Sequence, residues 1–110
     1  MAVSLLIADD QHLVRAGLRN LLGQDPGINV VGEAASGREV IDQAEQLDPD
    51  VILMDLTMPE LSGVEATREL ATRGFRARVI AVSSHTTERW IRRALNAGVH
   101  GYVTKLDSAE

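Results

Sequence analysis

The sequence predicts an α/β domain with a doubly wound, five-stranded parallel sheet and helices on both faces. Three observations predict it. Five short apolar runs alternate strictly with four segments of helical periodicity. One run, Val51 to Met54, is wholly apolar, as expected at the centre of a parallel sheet covered on both sides. The 110 residues suffice for one sizeable core but not two. Strict alternation implies parallel strands joined by right-handed crossovers.

Val3 to Ala8 (VSLLIA) reads as the first strand. Leu13, Val14, Leu18, Leu21 and Leu22 then recur at helical spacing, with Gly17 on the same face. Asp25-Pro26-Gly27 is a turn signal, and Ile28 to Glu33 (INVVGE) reads as the second strand. Ser36 and Glu39 have capping-box spacing and open a helix carrying Val40, Ile41, Ala44 and Leu47, which Pro49 stops. Val51 to Met54 is the third strand, followed by the loop Asp55 to Leu61 (DLTMPEL). Ser62 and Glu65 form a second capping box, before a helix with Val64, Leu70 and Ala71 on one side. Arg78 to Val82 is the fourth strand. Thr86 or Thr87 caps the next helix, where Ile91, Ala94, Leu95 and Gly98 share a face. Gly101 to Thr104 (GYVT) is the fifth strand.

Composition excludes several classes. With 45% hydrophobic and 25% charged residues the chain can form a packed core, so disorder is not the default. No apolar run approaches the ~20 residues that span a bilayer, and the first residues lack a signal peptide's basic stretch and apolar core. There is no cysteine, which removes disulfide and thiol chemistry and fits a cytoplasmic setting. A net charge of −5 argues against a nucleic-acid-binding surface. Phe75, Trp90 and Tyr102 are too few for a base-stacking platform.

In doubly wound sheets, ligand sites lie beyond the carboxyl ends of the strands. Asp9 and Asp10 follow the first strand, Asp55 the third, Ser83 the fourth and Lys105 the fifth. All five emerge at one edge of the predicted sheet. Three neighbouring carboxylates repel one another unless a cation joins them. Oxygen ligands with no Cys or His beside them suit Mg²⁺ or Mn²⁺ better than Zn²⁺. A carboxylate can also be a nucleophile that forms an aspartyl phosphate. Transfer of a phosphoryl group needs positive charge on its equatorial oxygens, which a metal, the Lys105 ammonium and the Ser83 hydroxyl could supply. Each residue also has a plainer reading. Asp10 could cap the helix beginning near Gln11, Asp55 could be a turn residue, Ser83 a loop hydroxyl and Lys105 a solvated surface cation. Their coincidence at one edge favours the joint site.

These residues make the sequence resemble the receiver domain of two-component response regulators. Ala8-Asp9-Asp10 is similar to the family's acidic pair, and Asp55-Leu56-Thr57-Met58-Pro59 with Gly63 to its phosphoacceptor motif. Ser83 resembles its hydroxyl position, and Gly101-Tyr102-Val103-Thr104-Lys105 its lysine segment. Asp10 to Leu18 and Ala94 to Tyr102 further resemble the NarL/FixJ-type subfamily. The resemblance covers essentially the whole chain and implies a flavodoxin-like strand order, 2-1-3-4-5.

It also implies a function. Asp55 would take a phosphoryl group from the phosphohistidine of a sensor histidine kinase. Asp9, Asp10, Asp55 and the backbone carbonyl of Thr57 would hold Mg²⁺. Ser83 and Lys105 would contact the phosphoryl group, and Ser83 and Tyr102 would form the switch, read at the fourth helix and fifth strand. Tyr102 could equally be a half-buried aromatic at the sheet edge. Thr57 and His85, two residues after Asp55 and Ser83, would tune the phosphate's lifetime, although an exposed loop histidine is as good a reading of His85. His12 and His100 carry no assigned chemistry. Trp90, flanked by Arg89, Arg92 and Arg93, sits beside the helical face; the group is either a solvated basic face or a partner surface. The parent protein would be a cytoplasmic transcription regulator that homodimerises on phosphorylation. It would bind DNA only through an output domain outside residues 1–110, and would have no membrane association.

Two features depart from the family. Lys105 is followed by Leu106, where many receivers have proline, which leaves the 105–106 geometry open. Asp107-Ser108-Ala109-Glu110 has capping-box form, but the helix it would open does not follow. The expectation is a receiver cut short before or within its fifth helix, with apolar side chains of the first and fifth strands and part of the first helix uncovered. Asp48, Asp50 and Glu60 read as loop and surface charges. The competing functions are a phosphorylation-independent interaction module and an aspartyl-nucleophile phosphatase. Phosphatases of the haloacid-dehalogenase type resemble this logic but have a second acid two residues after the nucleophile, where Thr57 stands here. A flavin module is disfavoured because two aspartates follow the first strand. The domain is thus expected to be no enzyme with an external substrate, assisting only its own phosphorylation and dephosphorylation.

Overall fold

The computed structural model describes residues 2–105. Its elements are β1 (Val3–Ala8), α1 (His12–Leu22), β2 (Ile28–Ala34), α2 (Gly37–Leu47), β3 (Val51–Met54), α3 (Gly63–Thr72), β4 (Arg78–Ser83), α4 (Glu88–Ala97) and β5 (Gly101–Thr104). The strands form one parallel sheet, as the alternation predicts, in the order β2-β1-β3-β4-β5 that the family resemblance implies.

Register places the site. Ala8 is opposite Ala34 and Met54, and Met54 is opposite Ala81, so the central strands finish level. Side chains alternate across the sheet. Leu6, Ala8, Ile52, Met54, Val79 and Ala81 meet α2, α3 and α4 in the main core. Leu5, Leu53 and Ile80 face the other way, toward α1.

The caps follow the sequence closely. Ser62 and Glu65 form a complete capping box at α3. At α2, Ser36 accepts from the Glu39 N–H, but the Glu39 carboxylate takes the Ala35 N–H instead of closing the box on Ser36. Thr87 caps α4 without a side-chain hydrogen bond. Gly98 ends α4 at φ +115°, a left-handed conformation that favours glycine. Asp48 ends α2 in a left-handed conformation just before the buried Pro49.

Three helical faces differ from expectation. In α1 the line Val14, Leu18, Leu22 faces the sheet, which leaves Leu13 84% exposed and Leu21 exposed. In α3, Ala66 and Thr67 are buried with Val64 and Leu70, while Ala71 is exposed. In α4 the packed line is Trp90, Ala94, Ala97, and Leu95 is 54% exposed. Each misplaced residue lies about one residue's rotation from the true face.

Val14, Leu18, Leu53, Ile80, Val82 and Val103 line an open apolar groove of about 480 Å³ on the α1 side. The uncovered apolar surface falls on β5 at Val103 and on α1 as expected; on β1 it is confined to Val3, because Leu5 to Ala8 are buried. Leu106 and the capping-box sequence Asp107 to Glu110 lie outside the described residues.

Candidate functional site

The sheet ladder runs past the strand ends and sets two aspartates side by side. The Asp9 N–H donates to the Ala34 carbonyl at 3.0 Å, and the Asp55 N–H to the Ala8 carbonyl at 2.9 Å. Both carboxylates are buried, with Asp9 2% and Asp55 5% exposed, and Asp10 beside them is exposed. One oxygen from each of the three lies within 4.8 Å of the others.

Asp9 is tightly held. Its Oδ1 accepts from the Gln11 N–H at 2.9 Å and its Oδ2 from Lys105 Nζ at 2.9 Å. Gln11, not Asp10, is the N-cap of α1. The capping reading of Asp10 therefore fails, because Asp9 takes the first loop donor. Asp55 Oδ1 accepts from the Thr57 N–H at 3.3 Å, so Asp55 also fulfils its turn-residue reading. Lys105 Nζ lies 3.7 Å from Asp55 Oδ2. Lys105 is thus partly buried against both carboxylates and not a solvated surface cation.

The electrostatics follow from this crowding. Burial, with the Asp9 charge adding to it, raises the Asp55 carboxyl above the usual range, and Lys105 opposes the rise. Burial would lower the Lys105 ammonium, but the Asp9 hydrogen bond and both carboxylate charges outweigh it and raise its pKa. Three oxygen donors whose mutual repulsion hinders ionisation fit a hard divalent cation such as Mg²⁺. Thr57, in the loop after Asp55, is exposed.

The loop itself depends on a glycine. A Cβ on Gly63 would fall 2.0 Å from the Asp55 carbonyl oxygen, so only glycine permits this approach of α3 to the aspartate.

Ser83 ends β4 fully buried, and its Oγ accepts from the His85 N–H at 3.0 Å. Tyr102 is half-buried, and its hydroxyl donates to the His85 carbonyl at 2.7 Å. The His85 ring is not free in the loop. It stacks on Trp90 with centroids 3.9 Å apart and planes 8° from parallel. The Arg93 guanidinium lies 5.0 Å from the Trp90 ring centroid. Trp90 is partly buried against the core rather than standing beside it. Arg92 pairs with Glu88 on the same helix.

Three residues have structural partners that the sequence did not disclose. Arg15 donates from Nη1 to the Asp9 carbonyl at 2.7 Å. His100, though exposed, accepts the Val79 N–H at Nδ1 (3.1 Å) and donates its own N–H to the Val79 carbonyl (2.7 Å). Asp50, read as a surface charge, accepts from the Ser4 N–H and Oγ and pairs with Arg76. The Ser4 backbone bond first, then Arg76, lowers its carboxyl to about 2. No periodicity or motif announces such contacts, since each sends a side chain to a group outside its own element.

Residues 5–110 match the response regulator receiver domain family. The chain is 41% identical over 109 residues to the response regulator protein VraR of Staphylococcus epidermidis, covering 99% of this chain and 52% of that protein. It thus spans about half the length of the curated relatives it matches. Among solved structures it superposes on the signal receiver domain of NarL from Mycobacterium tuberculosis with a TM-score of 0.92 at 30% identity, covering 94% of this chain and 84% of that one. It also superposes on a LuxR-family DNA-binding response regulator from Staphylococcus aureus, with a TM-score of 0.89 at 25% identity, covering 94% and 87%.

Proposed function

The chain belongs to the response regulator receiver family, in its NarL/FixJ-type branch, and from that premise we propose that Asp55 is its phosphoacceptor. Receiver domains are signalling domains rather than classical enzymes. The observation that carries the reading is the joint geometry of the three clustered carboxylates and Lys105, which bridges Asp9 and Asp55.

An Asp55 carboxylate oxygen attacks the phosphorus of a phosphohistidine on a sensor histidine kinase. An acyl phosphate bond forms, the P–N bond breaks, and the imidazole leaves with its electron pair. Lys105 and the Ser83 hydroxyl stabilise the phosphoryl oxygens. Asp9, Asp10, Asp55 and the Thr57 carbonyl hold Mg²⁺ or Mn²⁺, which when bound supplies positive charge to those oxygens. Thr57 and His85 tune hydrolysis of the acyl phosphate. For His85 that role requires its ring to leave Trp90.

Ser83 and Tyr102 switch the surface of α4 and β5. Their contacts support this, because both hold the same residue, His85: Ser83 takes its N–H and Tyr102 its carbonyl. A new dianion that draws Ser83 toward Asp55 therefore acts on the loop leading into α4. The parent protein acts in the cytoplasm, homodimerises on phosphorylation and binds DNA through an output domain; the likeness to a LuxR-family DNA-binding response regulator supports the last of these. No helix among the described residues is long and apolar enough to cross a membrane.

The test is labelling by acetyl phosphate, read by intact mass. One phosphoryl addition is expected, dependent on Mg²⁺ and absent in Asp55→Asn. Addition without Mg²⁺, or to the Asn variant, would overturn the reading.

A further inference from the structure

Arg15 reaches back from α1 to the end of β1. Its Nη1 donates to the Asp9 carbonyl at 2.7 Å and its Nε to Glu33 Oε1 at 3.1 Å. Glu33, near the end of β2, is held from its other side by Arg19 Nε at 2.6 Å. The Arg19 hydrogen bond first, against the cost of burial, and then Arg15 keep the Glu33 carboxyl below the usual range. The Arg15 side chain is largely buried, whereas Arg19 is half exposed. A guanidinium holds two acceptors in a fixed fork, which an ammonium cannot reproduce.

The carbonyl that Arg15 grips belongs to the planar peptide joining Asp9 to Asp10. Asp9 has its own anchors at Gln11 and Lys105. The carboxylate of Asp10 is exposed, so its direction depends on how that peptide is set. We propose that Arg15 is a positioning residue for the divalent cation: by clamping the Asp9 carbonyl to Glu33 it aims Asp10 into the carboxylate cluster. The proposal rests on reading Asp9, Asp10 and Asp55 as the cation site.

Charge and positioning predict opposite signs. Removing a cation close to the carboxylates would by Coulomb's law tighten binding of a second cation. Loss of positioning weakens it. Mn²⁺ binding, with free ion counted by electron paramagnetic resonance, therefore decides between them without reference to phosphorylation.

Arg15→Met, which keeps the apolar stem, is expected to weaken Mn²⁺ binding about tenfold, the lower end for losing a partner that orients a ligand. Arg15→Lys, which keeps the charge and is the milder test of folding, is expected to restore only part of the affinity. In an Asp10→Asn background Arg15→Lys should cost nothing further, which a general loss of structure would not reproduce. Unchanged or tighter binding in Arg15→Met, or full affinity in Arg15→Lys, overturns the proposal. If the unsubstituted protein binds no Mn²⁺, the cation-site reading fails with it; if it binds and only the variants are unaffected, the role of Arg15 alone fails.

Discussion

Lys105 donates to Asp9 across 96 positions of sequence, at 2.9 Å. The contact joins the first residue beyond β5 to the first beyond β1. These strands are not neighbours, since β3 and β4 lie between them. A long side chain is what spans that edge, and it brings a positive charge between two buried carboxylates.

Replacing Lys105 by Met should therefore separate two roles. Phosphorylation by acetyl phosphate is expected to slow about 10²-fold, as when one donor to a developing charge is lost. Mn²⁺ binding should not weaken, because a competing cation has gone. A labelling time course beside a Mn²⁺ titration measures both.

Asp55→Asn should raise the unfolding temperature by a few degrees at pH 7 without divalent ions. The folded-state pKa of Asp55 is raised, so its ionised form opposes folding above that pKa. The advantage of the variant is expected to shrink as pH falls through the raised pKa and to vanish below the ordinary value of 3.8, where the carboxyl is protonated in both states. Added Mg²⁺ should also shrink it by stabilising the unsubstituted protein. Thermal melts across pH, with and without Mg²⁺, test this.

Asp50→Asn should act with the opposite sign. The Asp50 carboxyl is lowered to about 2 from 3.8, so its contribution to stability is complete above pH 4 and lost as pH falls through 2. The variant should be less stable at pH 7, and the gap should close in strong acid. Urea unfolding at pH 7 and pH 2.5 measures the difference.

These predictions turn on what the sequence could and could not disclose. The parallel sheet and the edge carrying Asp9, Asp55, Ser83 and Lys105 were legible because alternation fixes parallel topology, and parallel topology fixes which ends coincide; the strand order followed only from the family resemblance. The faces of α1 and α4 were misread at Leu13 and Leu95. Apolar identity there does not report which residues of a curved helical surface meet the sheet. The stacking of His85 on Trp90 was not legible. It depends on a loop path from β4 into α4 that no spacing rule determines.

His85→Ala should expose the indole of Trp90, the protein's one tryptophan. Acrylamide quenching of its fluorescence is expected to rise roughly twofold, while Asp55→Asn leaves it unchanged; losing such a ring pair costs about 0.5–1.5 kcal/mol. Equal quenching in the His85 variant would mean that the stack does not persist in solution.

The most direct test of Asp55 as phosphoacceptor is borohydride trapping. Borohydride reduces an aspartyl phosphate to homoserine, and peptide mapping by mass spectrometry then locates it. After acetyl phosphate and Mg²⁺, the account predicts homoserine at position 55 and at no other aspartate. Homoserine at position 9 or 10, or none in a protein that carries phosphate, would contradict it.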